Sequence, residues 1–307
     1  MPEKFKVLIA DSLDPMAVDL MKSHPSLDTA YKNKLTPEEL LKEIPSYHAI
    51  VVRSATKVTK AVIEAGKNLR IIARAGVGLD NVDQVAAKAR NITVVNTPSC
   101  TTISVAELAF GLMLSLARKV GRANISMKKG EWDKKSFQGS ELFGKTLGLI
   151  GIGRIGQAVS ARAQVFGMKV LAFDPFIKTS PLPFVQMVSL DDLLRMSDFI
   201  SLHIPFDKAA GPTLGEAQFK VMKKGTFLVN CARGGTVDEK SLLAALKDGT
   251  VGGAGIDVWE KEPPQNRELI EHQNVLALPH LGASTNEGQS RAGKDVAELI
   301  ISHFAKK

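Results

Sequence analysis

The sequence predicts an α/β protein built as two doubly wound parallel-sheet units. Three observations carry that expectation. Short apolar runs rich in Val and Ile alternate with amphipathic helical stretches along the whole chain, a pattern that suits parallel strands joined by crossover helices. At 307 residues the chain has room for two domains, at roughly 100–200 residues each. A glycine-rich turn, "GIGRIG" at 151–156, stands between a strand pattern and a helix pattern halfway along.

In order, "KVLIA" is followed by the helical "PMAVDLMKSH", "AIVVRS" by "TKAVIEAGK", and "LRIIARAG" by "NVDQVAAKAR". "ITVVNTP" closes this first set near residue 98. One long helix is expected from about Ser104 to Arg122. After a basic polar segment, "KTLGLIGIG" restarts the alternation, which runs through "KVLAFD", "DDLLRMSDFISLH", "FLVNCARGG", "SLLAALKDG", "GAGIDVW" and "NVLALPH". The final "TNEGQSRAGKDVAELIISHFAKK" reads as one amphipathic helix.

Composition narrows the function classes. Hydrophobic residues make up 44% and charged residues 23%, ordinary values for a globular protein. The longest apolar stretch is broken by Glu107 and Arg118, too soon to span a bilayer. The start carries no signal-peptide pattern. A formal net charge of +8 raises the question of nucleic acid, but Lys and Arg are scattered and aromatics are only 6%; a nucleic-acid binder clusters its basic residues. Attraction of small anionic substrates is the use favoured for that charge. Two cysteines, Cys100 and Cys231, make no disulfide framework and have no metal spacing, so a reducing compartment and no metal are expected.

The glycine turn has a physical reading. Gly151 permits a tight turn, Gly153 lets backbone approach a pyrophosphate, and Gly156 allows close packing of helix on strand. The following helix offers free N–H groups and a positive dipole end to phosphates. Asp174, at the end of the next strand, falls where a carboxylate accepts from ribose hydroxyls, which favours NAD over NADP. Arg154 reads equally as a phosphate contact or a solvated surface residue.

Ligands bind at the carboxyl ends of such strands. Three polar residues follow three later strand patterns there: Arg233 after "FLVN", Glu262 (with Glu260) after "GAGIDV", and His280 after "NVLALP". A cation, a carboxylate and an imidazole suit hydride chemistry at a carbinol carbon. His280 would move the hydroxyl proton, Glu262 would hold one tautomer and stabilise the imidazolium, and Arg233 would grip a substrate carboxylate and polarise the reacting oxygen. His203, in "FISLHIPF", reads as structural, without a polar partner. His24, His48, His272 and His303 read as surface or terminal positions.

The segments "GIGRIGQAV", "FDP", "NCARGGTVDEKSLLAAL", "GAGIDVWEKEPP" and "LPHLGAST" resemble the D-isomer-specific 2-hydroxyacid dehydrogenases. In that family an Arg, a Glu and a His act in this order, and the matching positions here are Arg233, Glu262 and His280. "ADSLDP", "VVRSATKVTKAVIEAG", "RAGVGLDNVD", "KKGEWDKKSFQGSELFGKTLG" and "LGASTNEGQSRAG" look like the animal-type phosphoglycerate dehydrogenase branch. The resemblance implies a Rossmann-type NAD domain, 99–283, inserted into a flavodoxin-like substrate domain, 1–98 with 284–307. It implies dimers or tetramers through the cofactor domain, with helix 104–122 as a contact, and a cytoplasmic enzyme. For the cofactor it adds Arg154, Ile155, Cys231, Ala232, Arg233, Asp257, His280, Leu281, Gly282 and Ala283. For the substrate it adds Arg53, Ser54, the amides of Gly76, Val77 and Gly78, and Lys134 on a phosphate. Val77 and Ile204 stand at cofactor positions where relatives often carry Thr, so hydroxyl contacts are lost there. The chain ends after the last helix pattern, so no regulatory domain is expected.

The implied reaction is NAD-dependent oxidation of D-3-phosphoglycerate to 3-phosphohydroxypyruvate, entering serine biosynthesis. A glyoxylate/hydroxypyruvate or other D-2-hydroxyacid reductase keeps the chemistry and changes the substrate. From another class, relatives of this fold serve as NAD-sensing corepressors.

Overall fold

A computed structural model describes residues 4–305. The chain divides into two compact units, Met1–Thr101 with Ala283–Lys307, and Thr102–Gly282.

The first unit is a five-stranded parallel sheet. Its elements are β1 (Phe5–Ile9), α1 (Pro15–Ser23), β2 (Leu27–Tyr31), α2 (Pro37–Glu43), β3 (Ala49–Val52), α3 (Lys60–Ala65), β4 (Ile71–Arg74), α4 (Gln84–Ala89) and β5 (Thr93–Asn96). The strand order is β2-β1-β3-β4-β5, the flavodoxin-like order. Burial follows the two-residue period of a strand: Val7, Ile9, Ala49 and Val51 enter one core and Leu8, Ile50 and Val52 the other. The helix starts are written locally. Asp14 caps α1, and Thr36 with Glu39 forms a capping box on α2, each ahead of a proline that suits a first turn. The closing helix, Asn286–Ala305, packs Ala292, Val296 and Ile300 into the core of this unit.

The second unit opens with α5 (Thr102–Ala117) and α6 (Val120–Lys128). The single helix expected over 104–122 is thus two. Lys119 adopts a left-handed conformation, φ 53°, and the Ser140 N–H donates to the Ala117 carbonyl at 2.9 Å. A methyl on Gly139 would fall 2.3 Å from that carbonyl oxygen, so a glycine is needed where the returning chain takes over the helix end. Next come β6 (Thr146–Ile150), α7 (Arg154–Val165), β7 (Lys169–Phe173), β8 (Val185–Met187), α8 (Leu190–Met196), β9 (Phe199–Leu202) and α9 (Glu216–Val221). The unit ends with β10 (Thr226–Asn230), α10 (Glu239–Lys247), β11 (Val251–Ile256), α11 (Arg267–Glu271) and β12 (Val275–Ala277), leaving the closing helix as α12. All seven strands are parallel, in the order β12-β11-β10-β9-β6-β7-β8. Chain direction across the sheet reverses between β6 and β9. That switch point is where a doubly wound sheet opens a crevice beyond its carboxyl ends.

β2 and β8 were not legible as strands; both lie at sheet edges. Among the described residues no helix is long and apolar enough to cross a membrane, and no group of three His, Cys, Asp or Glu is arranged to hold a metal.

Candidate active site

The glycine turn sits at the switch point, between β6 and the twelve-residue α7. Gly151 has φ +99°, and a methyl there would lie 2.5 Å from the His203 carbonyl oxygen and 2.8 Å from Ile204 Cγ2. A methyl on Gly156 would lie 2.2 Å from the Gly151 carbonyl oxygen. Beside Gly153 the space is open: nothing lies within 4 Å of a methyl built there. Two glycines are therefore demanded by packing, and the third leaves backbone bare at the N-terminus of a helix. That is the cradle a pyrophosphate requires.

Asp174 accepts from the N–H of Ile152 at 3.0 Å, Phe176 at 2.9 Å and Ile177 at 3.0 Å. Burial alone would raise its carboxyl, but these N–H groups and the nearby Lys178 outweigh burial and hold it below the usual range. The carboxylate is thus pinned, ionised, beside the glycine turn, where a 2′-phosphate would meet its charge. The residues fit NAD: Gly151, Gly153, Arg154, Ile155 and Gly156 would face the phosphates and Asp174 the ribose. Arg154 is exposed, and Ile204 lies against Gly151 at the same turn.

His280 Nδ1 and Glu262 Oε2 are 2.9 Å apart. With a carboxylate as acceptor, Nδ1 carries the hydrogen, and in the neutral ring Nε2 then holds the lone pair. The side chains are 48% and 42% exposed, so the pair faces open space rather than the core. His280 has φ +56°, a conformation rare for a residue with a side chain. Asp257 holds it there. Its carboxylate accepts from the N–H of Leu281 at 2.6 Å and of Gly282 at 2.8 Å. Asp257, expected as a cofactor contact, is 0% exposed, and its carboxylate is engaged by the His280 loop. Burial pushes its carboxyl up against the pull of those two N–H groups.

Arg233 is half-buried in a loop that braces itself. Asn230 Nδ2 donates to Thr236 Oγ1, Thr236 Oγ1 donates to the Arg233 carbonyl, and the Ala232 N–H donates to Asn230 Oδ1. Cys231 and Ala232 are buried, so their side chains face the core; burial pushes the Cys231 thiol far up. The next residue ties this loop to the one carrying Glu262: a methyl on Gly234 would fall 1.8 Å from the Trp259 carbonyl oxygen. Trp259 in turn donates from its ring to the Leu278 carbonyl at 2.9 Å, just before His280. The structure therefore brings Glu262 and His280 into contact and joins the three loops that bear Arg233, Glu262 and His280.

The other expected residues are placed as follows. In the first unit the Arg53 backbone N–H donates to Asp11 at 2.6 Å and its guanidinium to the Ser12 carbonyl at 3.3 Å, while Ser54 is exposed. Val77 and Gly78 are half-buried. The Gly76 amide, expected to meet a substrate anion, already donates to Thr97 Oγ1 at 2.8 Å; a hydroxyl 21 residues on, after the next strand, gives no sign of this. Lys134 lies in the second unit with Nζ 5.4 Å from the Trp132 ring centre. Ala283 is half-buried at the unit boundary.

His203 does have a polar partner: its Nε2 lies 2.9 Å from Ser201 Oγ. Two residues apart in extended chain share a face, which is the signal that could have found the pair. His24, His48, His272 and His303 are half-buried. The first three accept backbone N–H bonds at Nδ1.

The model of the D-isomer specific 2-hydroxyacid dehydrogenase NAD binding domain matches residues 110–282. The chain is 49% identical to a hydroxypyruvate reductase of Thermotoga maritima, over 97% of this chain and 98% of that protein. It is 46% identical to D-3-phosphoglycerate dehydrogenase of Rattus norvegicus, over 96% of this chain but 56% of that protein, so it spans about half the rat enzyme's length. The crystal structure of the TT0316 protein of Thermus thermophilus superposes with a TM-score of 0.91 at 33% identity, covering 99% of this chain and 98% of that one. By motif, sheet order and these likenesses, the chain belongs to the D-isomer specific 2-hydroxyacid dehydrogenases, NAD-dependent enzymes of small-molecule substrates.

Proposed function

We propose that the protein oxidises D-3-phosphoglycerate to 3-phosphohydroxypyruvate, the entry to serine biosynthesis by the phosphorylated route, as a cytoplasmic enzyme. The observation that carries the chemistry is the Glu262–His280 pair at 2.9 Å on the sheet that also bears the glycine cradle. Bound NAD supplies the hydride acceptor. His280 takes the C2 hydroxyl proton on Nε2, and Glu262, bonded at Nδ1, stabilises the imidazolium that results. Arg233 neutralises the substrate carboxylate and draws charge toward the C2 oxygen. Arg53, Ser54 and the amides of Val77 and Gly78 are the further anion contacts of this reading, with Lys134 reserved for the phosphate. Ile155, Leu281 and Ala283 take the cofactor contacts that the family pattern gives them, with Val77 and Ile204 where a Thr hydroxyl is common.

We assign a homodimer or tetramer contact to the second unit. Ile125 and Met127 on α6 and Trp132 just beyond it are 55%, 54% and 75% exposed, large apolar side chains of the kind that partners cover.

A second reading, reduction of hydroxypyruvate or glyoxylate, is favoured by the likeness to the Thermotoga protein over nearly the whole of both chains. The two differ at one group, the phosphate. The test follows NADH oxidation with 3-phosphohydroxypyruvate, hydroxypyruvate and glyoxylate and compares kcat/KM. A preference for the phosphorylated acid is expected, with Lys134→Ala raising its KM alone. A preference for the unphosphorylated acids selects the second reading, and no turnover on any of them directs attention to a corepressor-like role.

A further inference from the structure

Glu239 is the first residue of α10, half-buried, and Glu260 lies two residues before Glu262. Each accepts the other's backbone hydrogen. The Glu239 N–H donates to Glu260 Oε1 at 2.9 Å, and the Glu260 N–H donates to Glu239 Oε1 at 2.8 Å. We propose that this reciprocal clasp makes Glu239 a positioning residue for the acid–base pair, fixing the loop from Trp259 to Glu262 so that Glu262 meets His280. The proposal rests on the reading of Glu262 and His280 given above.

The clasp sits at a junction. The Trp259 carbonyl packs on Gly234, beside Arg233, and the Trp259 ring is tied to the Leu278 carbonyl, beside His280. Trp259 N–H also donates to Glu262 Oε1 at 3.3 Å. One end of the loop is therefore fixed by Trp259, which is 4% exposed. Glu260 is itself exposed, and what holds it is the bond to Glu239. Without that bond the Glu260 side chain still accepts from the residue-239 N–H, but the backbone leading to Glu262 is held only through Trp259.

The pairing runs against electrostatics. Burial pushes the Glu239 carboxyl up, against the Glu260 N–H, and the Glu260 and Asp238 charges add to the rise. Two carboxylates held face to backbone on adjoining chain segments repel one another. A neutral acceptor would make the same hydrogen bond without the repulsion. The Glu239 carbonyl-type oxygen is thus the part that matters here, not its charge. This separates Glu239 from Asp238, which caps α10 by accepting from the Ser241 N–H at 2.7 Å. Asp238 stabilises the helix; Glu239 reaches out of it.

The experiment compares Glu239→Ala, Glu239→Gln and Asp238→Ala in the full chain. Steady-state reduction of 3-phosphohydroxypyruvate and hydroxypyruvate gives kcat and the KM for NADH. Amide hydrogen exchange of the 258–263 segment reports the clasp directly. In Glu239→Ala we expect kcat to fall about 10- to 100-fold, the scale of a small misplacement of a reacting group, with the KM for NADH unchanged and exchange at 258–263 faster. Glu239→Gln should restore kcat and protection. Asp238→Ala should lower thermal stability and leave kcat and 258–263 exchange near wild type. Unchanged exchange in Glu239→Ala overturns the clasp. Faster exchange with unchanged kcat overturns the positioning role, as does an Asp238→Ala variant that loses as much kcat, or a Glu239→Gln variant that recovers none. If the wild-type protein turns over none of the keto acids, the reaction assigned above fails, and the exchange data still decide whether the clasp exists.

Discussion

Two histidines follow strands of the same seven-stranded sheet, and they could hardly differ more. His203 comes after β9 and His280 after β12. The Nδ1 of His203 is buried without a hydrogen-bond partner, its Nε2 meets Ser201, and burial pushes its pKa down to about 4. The residue is half-buried, and the ring is neutral at neutral pH. His280 stands outward in a left-handed conformation, with a carboxylate from another strand end on Nδ1. Topology gives both the same address at the carboxyl edge. What separates them is a backbone that turns one ring out, at a cost of order 1–3 kcal/mol, and two acids that secure it: Glu262 on the ring and Asp257 on the next two amides.

The largest effect that would break this comparison is at the rings themselves. His280→Asn removes the proton acceptor and should lower kcat by about 10²–10⁴-fold, while NADH affinity, read by fluorescence titration, stays. His203→Asn should keep kcat within severalfold of wild type. Equal losses in the two variants would erase the distinction between them.

Asp257→Ala tests how the outward ring is held. The variant leaves the N–H groups of Leu281, part-buried, and Gly282, buried, without their acceptor. The expected cost is about 1–3 kcal/mol for each group that finds no other partner, measured by urea denaturation. A fall in kcat of about 10-fold should accompany it, since the ring no longer stands where Glu262 can reach it. Full activity in a destabilised variant would mean that φ +56° at His280 is inherited from the chain on either side and owes nothing to Asp257.

Much of this arrangement was legible in the sequence because it is written in local patterns. Two-sided apolar strands such as "AIVV" read as central strands, since both faces are buried. The glycine turn and the three strand-end residues were readable because the fold places ligands there. What escaped was set by contacts remote in sequence. β2 buries fully only Leu27 of its five residues, so no alternation marks it. Lys119 breaks a helix with no Gly or Pro at the break, because Gly139 and Ser140 arrive to cap it. The Gly76 amide is taken by Thr97, and the Glu239–Glu260 clasp spans 21 residues. Asp257 offered one hint: a charged residue directly after a buried strand must find partners.

The smallest effect concerns the inward ring and is a matter of stability, not rate. In the unfolded chain His203 binds a proton near pH 6.5, whereas in the fold burial delays this to about 4. Between those values the unfolded state holds more protons, so stability is complete above the unfolded pKa and is lost as pH falls toward the folded one. From pH 7 to pH 5 the loss from this group is about 2 kcal/mol at most. Urea midpoints at the two pH values should therefore converge in His203→Asn relative to wild type. If the separation instead persisted in His203→Asn, the fold would not be what withholds the proton from this ring.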